Sequence, residues 1–422
     1  MDINKLLRGV NCSCGKHHSC DIKYVYIEDN ATKNLSKICQ DNHTVLIVAD
    51  ENTFQAAGEI TLSALNGKNI KKVIFSGNEI LVPNEAAIQT VTENLDDADI
   101  MIGIGSGVIQ DLCKYVSFYN KVPYIIVATA PSMDGYASNG AAMITGGLKV
   151  TYPAGLPMAI IADTKVLSNA PMEMIKAGFG DIIGKFSALN DWKLSHLIND
   201  EYFCDYIYDL TYQQIKTTLD LADGILKRDE KSIKVLMEAL VVIGILMSFA
   251  GSSRPASGSE HHLSHFFEIT GILEKTAYFS HGIDVAYSTV ITAKIRERLL
   301  ANPFPSQIYR PAHCSYTQKM EQLYHSSAQG CIDLQEKYGR YKNHTAQMYL
   351  NKETEIRRIL SEMPTAETIE KMLSLVNLDI REFYEQYGEE KINHAILYAK
   401  DLKDRYTVLW MHYDLFGFSR KD

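Results

Sequence analysis

The sequence predicts an α/β domain of parallel strands joined by crossover helices, followed by an all-α domain. Three observations carry that prediction. From residue 44 short β-branched runs alternate with helical patterns, which is how strand, helix and parallel strand succeed one another. The third run leads straight into the turn Gly105-Ser106-Gly107, where a new helical pattern starts. After Pro171 the texture changes to long helical periodicities with few β-branched runs, and it stays so to the C-terminus.

The strands follow in order. Thr44 to Ala49 reads as the first and ends on Asp50; Lys72 to Phe75 is the second, and a helix from Asn84 to Leu95 leads to the third at Asp99 to Ile104. An acidic side chain just past a strand of a nucleotide fold accepts hydrogen bonds from a ribose 2′-hydroxyl and repels a 2′-phosphate, so Asp50 favours NAD over NADP. A helix cap before Glu51 to Phe54 explains Asp50 nearly as well. In Gly105-Ser106-Gly107-Val108-Ile109-Gln110-Asp111 the order of strand, glycine turn and helix lets the backbone approach a pyrophosphate, whose charge the helix N-terminus favours. The fourth strand, Pro123 to Ala128, ends in Thr129-Ala130-Pro131-Ser132, followed by Asp134 and Ser138. Small hydroxyls, a proline and an aspartate at a strand's carboxyl end suit a cofactor crevice. A hairpin of Ala142 to Ile144 with Leu148 to Val150, through Thr145-Gly146-Gly147, and a strand from Met158 to Asp163 complete the α/β part.

The helical part holds Asp181, in Gly178-Phe179-Gly180-Asp181, and the run Ser257-Gly258-Ser259-Glu260-His261-His262-Leu263-Ser264-His265, with His281 beyond it. Residues four apart share a helix face, so His261 and His265 point the same way. One Asp and two His, leaving coordination positions open, suit a catalytic divalent transition metal. The boundaries that follow are an N-terminal Cys/His-containing segment over 1–24, a dinucleotide-binding α/β domain over 25–168, and a helical metal- and substrate-binding domain over 169–422.

A net charge of −9 argues against nucleic-acid binding and against an anionic membrane as partner. The longest apolar run, Ala239 to Ala250, contains Gly244 and Ser248 and is short for about 30 Å of hydrocarbon, so it is expected to be a buried helix and not a membrane span. No apolar signal core follows Met1, and a cytoplasmic location is expected. Of the eight cysteines only Cys12, Cys14 and Cys20 cluster, in Cys12-Ser13-Cys14-Gly15-Lys16-His17-His18-Ser19-Cys20. That segment is either an accessory soft-metal site, although no paired Cys-x-x-Cys spacing occurs in it, or a loosely ordered stretch.

Over roughly residues 25 to 300 the sequence resembles the sn-glycerol-1-phosphate dehydrogenase family, within the dehydroquinate synthase-like superfamily of metal-dependent alcohol dehydrogenases. The resemblance rests on Gly105 to Asp111, on Thr129-Ala130-Pro131-Ser132 with Asp134-Gly135-Tyr136-Ala137-Ser138, on Ile160 to Asp163, on Gly180-Asp181, on Ser257 to His261 with His265, and on His281-Gly282. It implies Asp181, His261 and His281 as metal ligands, with His265 and Asp134 as substrate contacts. It further implies that Gly105 to Asp111, Thr129 to Ser132, Ser138 and Asp50 hold NAD or NADP. Two departures stand out: Gly105-Ser106-Gly107 occurs where family members often have three glycines, and His262 directly follows His261.

The reaction implied is reversible reduction of dihydroxyacetone phosphate to sn-glycerol 1-phosphate, with zinc, nickel or iron polarising the C2 oxygen. The substrate partner is then a small phosphorylated triose, and a homodimer or larger homo-oligomer is expected. The nearest rival is a glycerol or other polyol dehydrogenase, which needs no phosphate site, and a dehydroquinate-synthase-like lyase is more distant. For a phosphate the sequence offers Arg254, Lys149 and Lys185 near the motifs. A third reading makes the N-terminal Cys/His segment the mark of a metal-handling protein.

Overall fold

The computed structural model describes residues 2–79, 81–146 and 148–418. Its principal sheet has six parallel strands: β1 (Tyr24–Glu28), β2 (Thr44–Asp50), β3 (Asn69–Phe75), β4 (Ile100–Gly105), β5 (Tyr124–Ala128) and, after a hairpin of β6 (Gly140–Thr145) and β7 (Leu148–Pro153), β8 (Ala159–Asp163). The spatial order is β1-β8-β5-β4-β2-β3. The central strands β4, β5 and β8 are buried along their whole length, as β-branched runs covered by helices on both faces require. The hairpin's tip includes Gly147, which lies outside the described residues.

Two readings change here. The sheet begins one strand earlier than Thr44: Tyr24-Val25-Tyr26-Ile27-Glu28 pairs with β8 as an edge strand, buried at Val25 and Ile27. Its aromatic and β-branched alternation is a strand signal in its own right. The apolar run Ala239 to Ala250 is the second half of a longer helix, Glu230–Ala250, whose 21 residues suffice by length and composition to cross a membrane. The expected burial holds, with 78% of its most apolar window buried. The N-terminal segment is ordered: Val10–Asn11 pairs antiparallel with His17–His18. Among the described residues no cysteine forms a disulfide.

The helices that matter for function are α1 (Glu51–Ala64), α2 (Gly107–Asn120), α3 (Met172–Asn199), α4 (Glu230–Ala250), α5 (Ser259–Glu274) and α6 (His281–Ala301). Beyond Asp163 the described residues contain no strand. The chain forms two compact units, Met1–Ile182 with Asp209–Ser253, and Ile183–Tyr208 with Arg254–Asp422. The first holds the sheet and α4. The second is helical, with a core of α5, α6 and C-terminal helices in which Trp192, Trp410, Tyr349 and Tyr406 are fully buried.

Candidate active site

In the sheet the chain order reverses between β2 and β4, since β3 lies on one side of β2 and β4, β5 and β8 follow on the other. Ligands of open parallel sheets bind outside the strands' carboxyl ends at such a reversal. Ala49 of β2 is in register with Ile104 of β4, so Asp50 and Gly105 are the next residues of neighbouring strands. The sequence-predicted cofactor residues therefore gather at the switch point.

Each of them has a local reason for its place. Ser106 precedes α2 without capping it, and its hydroxyl lies 2.5 Å from that of Ser132. The first-turn N–H groups of Gly107, Val108 and Ile109 are thus left uncapped by this side chain, as an anion-binding helix start needs. Thr129 N–H donates to the Gly105 carbonyl at 3.1 Å, which ties the two loops together. Gln110 donates to the Tyr136 carbonyl, and the buried Lys114 ammonium bonds Asp111 Oδ1 and Ser138 Oγ, both at 3.2 Å. Tyr136 donates to the Ala130 carbonyl at 2.7 Å, and burial pushes its phenol up to about 12, so it remains a donor. Gln110, Asp111 and Ser138 accordingly brace the loop. Asp50 caps α1 in a capping box with Thr53, accepting from its N–H at 2.9 Å. The cap uses Oδ1, so capping and a ribose contact are compatible roles.

Asp181 reaches the same loop from α3. A Cβ on Gly178 would fall 1.8 Å from the Pro131 carbonyl oxygen, so only glycine allows this approach of helix and loop. One turn on, fully buried Asp181 accepts from the Asp134 N–H at 2.9 Å.

The histidines are set by the start of α5. Gly258 stands before it because a Cβ there would meet Asp191 Oδ2 at 2.7 Å and the Ala188 Cα at 2.8 Å. Asp191 accepts from the Ser259 N–H at 2.7 Å, fixing the helix start. Buried Glu260 accepts from His261 Nδ1 at 2.7 Å, the outer-shell arrangement that in metal sites turns Nε2 toward an ion. His281, the first residue of α6, has its Nδ1 3.5 Å from Ser264 Oγ. The rings of His261 and His281 are 5.0 Å apart between centroids, and His265 is 6.4 and 5.7 Å from them. His262 is buried, neither ring nitrogen has a hydrogen-bond partner among the described residues, and burial holds its pKa well below the ordinary range.

His261 and His281, both in the helical unit, offer imidazole nitrogens, and Asp181, in the first unit, offers a fully buried carboxylate. A carboxylate and two imidazoles, each backed by an outer hydrogen-bond partner, are donor types that fit a divalent transition ion with open positions. Cys12, Cys14 and His18 offer donor atoms within 4.8 Å of one another. There His18 Nδ1 bonds the Phe249 carbonyl at 3.0 Å.

The cations expected to receive a phosphate are otherwise occupied. Arg254 forks onto Glu201 at 2.6 and 2.5 Å and donates to the Tyr406 carbonyl, and buried Lys185 donates to the Ala256 carbonyl. The side chain of Lys149 lies outside the described part.

The profile of the iron-containing alcohol dehydrogenase family matches residues 26–171. An iron-containing alcohol dehydrogenase from Thermococcus thioreducens superposes with a TM-score of 0.61 at 14% identity, over 95% of this chain and 94% of that one. The fold is the one that iron-containing alcohol dehydrogenases share. Within it, a glycerol-1-phosphate dehydrogenase (NAD(P)+) from Geobacillus stearothermophilus is 36% identical over 296 residues, 68% of this chain and 73% of that protein. One from Bacillus licheniformis is 28% identical over 406 residues, 94% of this chain and 90% of that protein. The chain belongs to the glycerol-1-phosphate dehydrogenase family and is an oxidoreductase.

Proposed function

We propose that this chain catalyses the reversible NAD(P)H-dependent reduction of dihydroxyacetone phosphate to sn-glycerol 1-phosphate, in the cytoplasm. The observation that carries the reading is the pair His261 and His281, their rings 5.0 Å apart and Glu260 set against the first, and relatives named glycerol-1-phosphate dehydrogenase (NAD(P)+) support it. Asp181, His261 and His281 would hold a divalent metal, which would supply Lewis-acid polarisation of the substrate's C2 oxygen. Zinc, nickel and iron all accept this donor set.

The chain's own groups do the rest. Glu260 and Ser264 hold the two imidazoles in orientation, and the Asp134 N–H fixes the Asp181 carboxylate. The start of α2 with Ser106 and Ser132 binds the pyrophosphate, and Asp50 the adenosine ribose. His265 accepts from Lys403 Nζ at 3.3 Å and is the group we assign to moving the proton of the C2 hydroxyl.

The test is reduction of dihydroxyacetone phosphate by NADH in protein loaded separately with zinc, nickel or iron. Turnover should be fast with the phosphorylated ketone and poor with dihydroxyacetone, because an empty phosphate site forfeits binding energy otherwise used in the transition state. Equal rates on the two ketones would favour a glycerol dehydrogenase, and a product of the opposite hand would refute the reading.

For the cofactor, Asp50→Gly should raise the NADPH over NADH specificity ratio roughly tenfold, the factor matching about 1.4 kcal/mol of relieved repulsion. The lost cap should cost only a few tenths of a kcal/mol, since glycine is tolerated there. An unchanged ratio would leave Asp50 as a cap alone.

A further inference from the structure

We propose that Lys403 and Arg405, with the hydroxyl of Ser257, form the subsite for the phosphate of a triose phosphate, beside His265. This rests on the function proposed above, and it adds two cations, Lys403 and Arg405, that stand in none of the sequence motifs.

Both cations converge on one turn. Lys403 Nζ lies 3.3 Å from Ser257 Oγ and 3.3 Å from His265 Nε2, and Arg405 Nη1 donates to the Ser257 carbonyl at 3.0 Å. Ser257 stands immediately before the start of α5, and His265 is one turn beyond His261 on the same helix. An ammonium, a guanidinium and a hydroxyl are therefore gathered next to His265, the imidazole assigned to the proton of the C2 hydroxyl. A triose phosphate needs that proximity, because its C2 oxygen and its phosphorus are linked only through C2, C3 and the ester oxygen. Arg supplies a planar fork and Lys a point charge, the usual pair for a phosphate monoester.

The segment that carries them is fixed in advance. The Lys403 carbonyl accepts from Gln335 at 2.8 Å and the Tyr406 carbonyl from Arg254 at 2.9 Å. Just upstream the fully buried Lys400 and Asp401 pair at 2.6 Å, with Tyr341 donating to the same carboxylate and Tyr413 3.9 Å from the ammonium. Such anchoring lowers the ordering cost of binding. Electrostatics agree: burial, and after it repulsion from Arg254, pulls the Arg405 guanidinium down to about 10. A cation in that position is stabilised by an incoming anion.

The experiment compares wild-type and variant holoenzyme on dihydroxyacetone phosphate, on dihydroxyacetone, and with inorganic phosphate as a probe. Inorganic phosphate should compete with dihydroxyacetone phosphate in the wild type. Lys403→Met and Arg405→Met should each weaken that inhibition at least tenfold, and each should lower the ratio of kcat/KM for the phosphorylated over the plain ketone by about as much. Lys403→Arg, which keeps the charge, should restore most of the ratio, and this separates a binding role from a structural one. Variants that keep both the inhibition and the ratio would overturn the proposal. So would a rise confined to the KM for NADH, because the cations would then serve a cofactor phosphate. A wild type showing no preference for the phosphorylated ketone would instead defeat the underlying function, so the two failures are distinguishable.

Discussion

His281→Ala and Asp181→Asn should each release the metal and lower turnover by more than the roughly 10- to 100-fold that loss of an outer-shell partner costs. The proposed set has three protein ligands, so removing one would leave two and an ion that exchanges freely. Glu260→Gln should fall inside that 10- to 100-fold range, because it weakens the acceptor that orients His261 without removing a ligand. Metal content by elemental analysis and kcat on one preparation check all three. Full occupancy with full activity in His281→Ala would exclude this site. His262→Ala is the control, and its effect differs in kind. At about 100° per residue it leaves the face of His261, and it fills the core, so its loss shows in stability before it shows in metal content.

How much of this was readable in advance depended on how far apart in the chain the cooperating residues lie. The glycine turn, the Thr129 to Ser132 loop and the pair His261 and His265 are local patterns, and each occupies the place its pattern predicts. The strand Tyr24–Glu28 carried a local signal as well, but it is short and at an edge, and the longer runs from Thr44 onward overshadow it. Lys403 and Arg405 are a different case. They meet Ser257 across 146 and 148 residues, and single cations in a helical, charge-rich C-terminal third look like solvated surface until the chain is folded. Arg254 misled for the converse reason. It stands beside the histidine motif in sequence, yet Glu201, 53 residues away, claims its guanidinium. Glu260 looked like part of a motif, and its role as the acceptor for His261 needed a rotamer that sequence does not specify.

Asp191 is the residue whose loss should damage the helical unit most. It is fully buried, and Oδ1 accepts from Arg296 at 2.7 Å and from the Val408 N–H at 2.8 Å, while Oδ2 accepts from Ser259 at 2.7 Å. One carboxylate thus joins α3, α5, α6 and the start of the C-terminal helix Val408–Phe416. Asp191→Ala leaves a buried guanidinium without its counter-charge, a loss that costs about 3–5 kcal/mol in comparable pairs, and strands two backbone donors besides. Asp191→Asn should recover part of this, since the amide oxygen can still accept while the charge does not return. The measurement is unusually clean, because the chain's two tryptophans, Trp192 and Trp410, are both buried in this unit. Their fluorescence in urea follows the unit that Asp191 holds together. A shift of that transition worth under 1 kcal/mol in Asp191→Ala would mean that the stranded donors and the guanidinium find other acceptors. Since Ser259 opens the helix that carries His261, the alanine variant should also bind metal more weakly, whereas Asp191→Asn should retain more of it.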